Sequence, residues 1–295
     1  MAVETQGAWA LRTYTAADGY VVNYRDYSGQ LPANALPHSI IVFLHGIQSH
    51  AGWYEQSNIT LSRLGHQVYF LDRRGSGLNE AARGDTQHYR RLIIDVGEFV
   101  TACRERWRSE RTVPIFLAAI SWGGKLAAAL ELTRPGLVDG LIFLCPGFCP
   151  RIHPPLGEQL QIAVARALTP RRRFPIPLND PELFTNTPRW QKFIQDDPLA
   201  LREATARLLV ASVRLDRLLR RRGRQFSVPV LLMLAGRDRI IDNVRTRRLM
   251  ERLAPRGLEV IEYPEAAHTL EFEPDPSRFV TDLQNWLERH CRTSP

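Results

Sequence analysis

Ser121, Asp238 and His268 are the residues of this chain whose types and order could carry out nucleophilic catalysis. A serine hydroxyl is a poor nucleophile alone; it needs a base, a carboxylate to orient that base, and donors for the charge that develops. Ser121 stands in Ala119-x-Ser121-x-Gly123, reached by the apolar run Ile115 to Ile120 and followed by helix-forming Leu126 to Leu132. That order predicts a buried strand, a sharp turn and a helix, with the hydroxyl at the apex. Asp238 follows the apolar run Val230–Ala235, and His268 follows Leu258–Tyr263, so all three come after strand-like segments in the order Ser, Asp, His. In this chemistry His268 takes the proton of Ser121 and returns it to the leaving group. Asp238 holds the imidazole tautomer, and the N–H groups of Ile47 and Trp122 receive the oxyanion.

Other residues compete for these roles. Ser121 could simply cap a helix. Asp242 could be the carboxylate, but it directly precedes the helical pattern Val244–Leu253 and has the position of an N-cap. His45 precedes a glycine and fits a structural place in a His-Gly turn. Ser76, in Gly75-Ser76-Gly77, has no apolar strand running into it, and that segment lacks the third glycine of a dinucleotide fingerprint. His50, His66, His88, His153 and His290 are scattered singly. No His/Asp/Glu cluster has metal-ligand spacing, so no metal is expected.

The elements that must position these residues alternate. Strands are expected at Tyr20–Tyr27, Ser39–Leu44, Gln67–Leu71, Ile115–Ile120, Val138–Leu144, Val228–Ala235 and Leu258–Tyr263. Helices are expected at Tyr54–Leu64, about Thr86–Arg108, after Ser121, at Val244–Leu253 and at Ser277–His290. Such alternation predicts an α/β fold with a doubly wound, mostly parallel sheet. Residues 1–147 and 228–295 would form this core. Residues 148–227 read as an inserted helical cap without a convincing strand, with amphipathic helices at Leu156–Leu168 and Leu199–Leu219. The first places Leu156, Leu160, Ala163, Val164, Ala167 and Leu168 on one face, the second Leu201, Leu208, Leu215 and Leu219. Both faces are expected to be buried.

Composition bounds the setting. The net charge is +8 over 295 residues, and only Lys125 and Lys192 among the basic residues are lysine. The arginines are spread along the chain and no nucleic-acid module is present, so nucleic acid is not an expected partner. Arg171-Arg172-Arg173 and Arg220-Arg221-Arg222 with Arg224 follow the two cap helices; they suit helix C-termini, or peripheral contact with an anionic membrane. Cys103, Cys145, Cys149 and Cys291 lack paired spacing, which suggests reduced thiols and a cytoplasmic location. The N-terminus lacks an apolar signal core, and no apolar run approaches the ~20 residues of a membrane span.

Taken together, His45-Gly46, Asp72-Arg73-Arg74-Gly75-x-Gly77, Ala119-x-Ser121-x-Gly123-Gly124, Gly236-x-Asp238-x-x-x-Asp242 and Ala267-His268 resemble an α/β-hydrolase of the monoacylglycerol lipase/lysophospholipase type. The similarity runs from about Tyr20 to the C-terminus and includes the cap segments Asn179–Thr185 and Phe193–Leu199. The resemblance implies Ser121, Asp238 and His268 as triad, Ile47 and Trp122 as oxyanion donors, no cofactor, and a small ester or mono-acyl lipid as substrate. Ala119 replaces the usual glycine, and Trp122 stands where a smaller or more flexible side chain is common. Acyltransferases, peptidases and cofactor-free peroxidases of this fold share the triad, whereas dehalogenases and epoxide hydrolases need an aspartate at the serine position. A non-catalytic ligand-binding module is the reading outside enzymes.

Overall fold

The computed structural model describes residues 7–31, 36–107, 113–221 and 223–291. In chain order its strands are β1 (Ala10–Thr15), β2 (Val21–Asp26), β3 (Ile40–Leu44), β4 (Gln67–Leu71), β5 (Ile115–Ile120), β6 (Gly140–Leu144), β7 (Arg173–Pro175), β8 (Glu203–Thr205), β9 (Val230–Ala235) and β10 (Leu258–Tyr263). The α-helices are α1 (Glu55–Arg63), α2 (Tyr89–Arg106), α3 (Gly123–Thr133), α4 (Leu156–Leu168), α5 (Pro188–Asp196), α6 (Ala206–Leu219), α7 (Asn243–Leu253) and α8 (Ser277–Cys291).

Eight strands form one sheet in the order β1-β2-β4-β3-β5-β6-β9-β10. From β4 to β10 the pairing is parallel, and the antiparallel hairpin β1–β2 closes the other edge. The central strands are apolar along their whole length because both faces are covered. In β3, Ile40, Val42 and Leu44 face one core while Ile41 and Phe43 face another; β5 divides likewise between Ile115, Leu117, Ala119 and Phe116, Ala118, Ile120. The first core is completed by α2, α3 and α7, the second by α1 and α8. Serine, aspartate and histidine candidates therefore all emerge at the C-terminal ends of parallel strands, where open α/β sheets bind ligands.

Several expectations need correction. β1 lies outside the expected strands; as an exposed edge strand it carries no apolar alternation, and Leu11 is 51% exposed. α2 begins at Tyr89 rather than Thr86, where the His88 side chain accepts from Arg90 N–H; Arg108 lies outside the described residues. Between 148 and 227 there are strands after all, since β7 pairs with β8. The helix expected at Leu199–Leu219 accordingly starts at Ala206, capped by Thr205, and α5 is an additional helix. Leu201 is buried, but from the loop before β8. The largest departure is α4. Its predicted apolar face points to solvent: Leu156 is 83% exposed, Leu160 67%, Val164 49% and Leu168 76%. Only Ile162 and Ala165 are buried, against Phe174 and Ala206. Arg222 of the second arginine cluster lies outside the described residues.

Candidate active site

The turn after β5 is shaped by close approaches. Ser121 adopts φ +49°, a left-handed conformation that non-glycine residues seldom hold without a compensating framework. That framework is visible: Ser121 N–H donates to Leu144 O at 3.0 Å, and its carbonyl accepts from Gly147 N–H at 2.7 Å and Gly124 N–H at 3.0 Å. A Cβ at Gly123 would stand 2.6 Å from the carbonyl oxygen of His45, so only glycine lets α3 pass this close to the end of β3. Ala119, by contrast, lies inside β5 with a negative φ, fully buried, and its methyl group fits.

His268 stands between the other two candidates. Ser121 Oγ–H donates to His268 Nε2 at 2.9 Å, and His268 Nδ1–H donates to Asp238 Oδ2 at 2.7 Å. Asp238 Oδ1 accepts from the N–H groups of Ile240 and Ile241, both at 2.8 Å, which fixes the carboxylate. His268 and Asp238 are buried and Ser121 is half-buried, so Ser121 is the open end of the chain of hydrogen bonds. Asp242 is not part of it; it accepts from Arg245 N–H at 3.0 Å as the N-cap of α7.

Two open N–H groups belong to neighbours of Ser121: Trp122 follows it, and Ile47 follows Gly46, where a Cβ would stand 3.4 Å from Ser121 Cβ. Those of Ile47 and Trp122 have no partner among the described residues. Their peptides are held from outside. Arg73 N–H donates to His45 Nε2 at 2.9 Å, so the proton of His45 is on Nδ1, which donates to Gly46 O at 2.7 Å. This bond orients the Gly46–Ile47 peptide, which carries the open Ile47 N–H. Burial, and then the Arg73 charge, hold the pKa of His45 well below its ordinary value, which keeps that tautomer neutral.

The segment 148–227 is tied to these elements. Trp122 Nε1–H donates to Ser212 Oγ at 2.9 Å, and Lys125 Nζ, buried on α3, lies 2.9 Å from Asp216 Oδ2 on α6. Burial lowers the Lys125 pKa, and Asp216 opposes this. His50 and Trp53 both donate to Asp197 Oδ2, at 3.0 and 2.6 Å. Burial pushes the Asp197 carboxyl up, but these hydrogen bonds outweigh it and the net shift is downward. Cys145, at φ +44°, places its sulfur within 4.8 Å of the donor atoms of Asp238 and His268. Burial, and then the Asp238 carboxylate, push its thiol well above the ordinary range. All four cysteines are free thiols.

Sequence reasoning had no signal for Ser212 or Asp216, and it placed Asp197 in a recognisable cap segment without a partner, because each acts across more than 80 residues of chain. Arg73 is visible in the D-R-R-G motif, but its surroundings are not.

Fold and site together define an α/β-hydrolase. The family model described as serine aminopeptidase, S33, matches residues 35–275, and the chain belongs to that family. Among characterised relatives, a monoacylglycerol lipase of Mycolicibacterium smegmatis is 26% identical over 259 residues, covering 86% of this chain and 89% of its own. A human monoglyceride lipase is 25% identical, covering 88% and 85%. A soluble variant of monoglyceride lipase from Saccharomyces cerevisiae, solved with a substrate analogue, superposes with a TM-score of 0.84 over 96% of both chains at 20% identity.

Proposed function

We propose that this protein is a serine hydrolase that cleaves the ester bond of a mono-acyl lipid, a monoacylglycerol or a lysophospholipid, through an acyl-enzyme. The observation that carries the reading is the continuous hydrogen-bond chain Ser121–His268–Asp238, with the open N–H groups of Ile47 and Trp122 beside it. The mono-acyl substrate is supported by the relatives that act on monoacylglycerol.

Ser121 Oγ attacks the ester carbonyl as His268 Nε2 takes its proton. The carbonyl oxygen becomes negative and is met by the N–H groups of Ile47 and Trp122, each worth roughly 3–4 kcal/mol in such chemistry. The imidazolium, held by Asp238, then protonates the departing alcohol. Water attacks the acyl-enzyme with His268 again as base, and the fatty acid leaves. Residues 148–227 act as a cap over this site, joined to it through Trp122–Ser212 and Lys125–Asp216.

The exposed stripe of α4 and the neighbouring Arg171 and Arg172 support peripheral contact with an anionic membrane. The second basic cluster does not share that surface. It lies at the other end of α6, where Arg224 donates to Leu132 O and Arg221 O accepts from Arg252. The free thiols support a cytoplasmic location; no described helix is long and apolar enough to cross a membrane.

The test is a substrate panel: p-nitrophenyl esters from acetate to palmitate, monoacylglycerol, lysophospholipid and an aminoacyl-proline amide. Turnover of monoacylglycerol or lysophospholipid above the amide is expected, with a fluorophosphonate labelling Ser121. Preference for the amide would make the protein a peptidase, and failure to label would make it a binding module.

A further inference from the structure

Two adjacent arginines follow β4, and they live in opposite electrostatic settings. Arg74 is paired with Asp95 and Asp18 and lies on the Tyr20 ring. Arg73 is buried, 5% exposed, and among the described residues no carboxylate lies within ion-pair distance of it. The carboxylate next to it in sequence is already engaged: Asp72 accepts from Ala51 N–H at 2.8 Å and from Leu78 N–H at 2.9 Å. Arg73 Nε and Nη1 have no hydrogen-bond partner. Burial pushes its pKa down to about 10 although the Asp72 carboxylate opposes this, so at neutral pH the cation persists without a carboxylate in direct contact. A buried, unpaired charge with unsatisfied donors opposes folding.

What Arg73 does touch is informative. Nη2 donates to Ile47 O at 2.9 Å, and the guanidinium lies over the Trp122 ring, 4.8 Å from its centroid. Its own N–H sets the His45 tautomer that orients the Gly46–Ile47 peptide. Both residues that offer a free N–H to the substrate oxygen are therefore in contact with this one side chain. Within a residue, backbone N and O are at most ~3.6 Å apart. The charge thus lies a short distance from Ile47 N–H, in surroundings with little water to screen it.

We propose that Arg73 is a positioning residue of the oxyanion hole. It holds the Ile47 and Trp122 segments in register and supplies a fixed positive charge beside the oxygen that becomes negative. The attraction between that fixed charge and the oxygen grows as the oxyanion forms, so it favours the transition state over bound ester. The inference rests on ester hydrolysis at Ser121.

The experiment compares Arg73→Met, which keeps the shape and removes the charge, with Arg73→Lys, which keeps the charge. Each is measured with p-nitrophenyl butyrate, with an alkyl trifluoromethyl ketone that forms a tetrahedral oxyanion on serine, and by thermal melting. Arg73→Met is expected to lower kcat at least ~10-fold with KM within ~2-fold, to weaken the ketone by the same factor as kcat/KM, and to leave the melting temperature unchanged or higher. Arg73→Lys is expected to recover most of the lost kcat. Wild-type kcat in Arg73→Met would overturn the inference. So would a loss of activity that follows a lowered melting temperature, or a failure to fold, since either makes Arg73 a structural residue. Ser121→Ala in the same assay separates the two levels: if it stays active, the ester-hydrolase reading itself fails.

Discussion

At the scale of single residues, the site is a short chain of hydrogen bonds, and its members are expected to fail as a unit. Ser121→Ala should lower kcat by ~10⁴ or more while the melting curve stays close to wild type, and His268→Ala should do the same. Retention of a tenth of the ester hydrolysis by Ser121→Ala would remove it as nucleophile. The two aspartates of the 238–242 turn should separate cleanly. Asp238→Asn replaces the acceptor of His268 Nδ1–H with an amide that can present N–H to it, and kcat should fall by ~10⁴ through the wrong tautomer. Asp242→Asn keeps a side-chain oxygen for Arg245 N–H and should change kcat less than about 2-fold. The grouping of Ser121, His268 and Asp238 was legible in the sequence because each residue follows a strand-like run and the order Ser, Asp, His is restrictive. The state of Arg73 was not, since an unpaired charge is defined by the partners that distant segments fail to supply.

At the scale of elements, the buried carboxyl of Glu271 joins the loop after His268 to the N-terminus of α1, accepting from Ser57 N–H at 3.0 Å while its other oxygen has no partner. Burial raises its pKa from 4.5 to about 7, against the opposing hydrogen bonds. The folded state therefore keeps a proton that the unfolded state has released between pH 4.5 and 7. Stability should fall as pH rises through that window and then level off. The gap corresponds to ~3 kcal/mol, and Glu271→Gln should flatten the wild-type decline in urea unfolding between pH 5 and 8. A decline of equal size in the variant would assign the effect to other groups. The parallel strands were legible to within two residues; where both faces are buried the apolar run is unbroken, as at Ile115–Ile120, whereas the edge strand Leu258–Tyr263 carries Glu259 and Glu262 between its apolar residues. β1 was not, because an edge strand exposed on both faces shows neither an unbroken apolar run nor alternation. The start of α6 was missed because Leu201 continues its apolar spacing backwards, although Glu203–Thr205 is used to pair with β7.

At the scale of the whole molecule, the distribution of exposed leucine and arginine gives the protein one face unlike the rest. Turnover of monoacylglycerol in anionic vesicles should fall as salt rises, because each basic residue near such a surface contributes about 1 kcal/mol within a Debye length of ~8 Å. Turnover of p-nitrophenyl acetate should not change. Replacing Arg171 and Arg172 with glutamine should reproduce high salt on vesicles alone; equal responses on both substrates would make these arginines ordinary surface. Helical periodicity located the apolar face of α4, yet periodicity cannot say whether such a face is covered. The manner of attachment of α4 has a further consequence. Ile162 and Ala165 are its only buried side chains, whereas α6 is fixed by Lys125–Asp216, Trp122–Ser212 and the ion pair of Arg207 with Asp85. Lifting α4 exposes little apolar surface, so its opening free energy should lie far below that of global unfolding. In native-state hydrogen exchange its amides should exchange ~100-fold or more faster than those of α6, with little dependence on denaturant. Equally slow exchange in both helices would mean that α4 is held by more than Ile162 and Ala165.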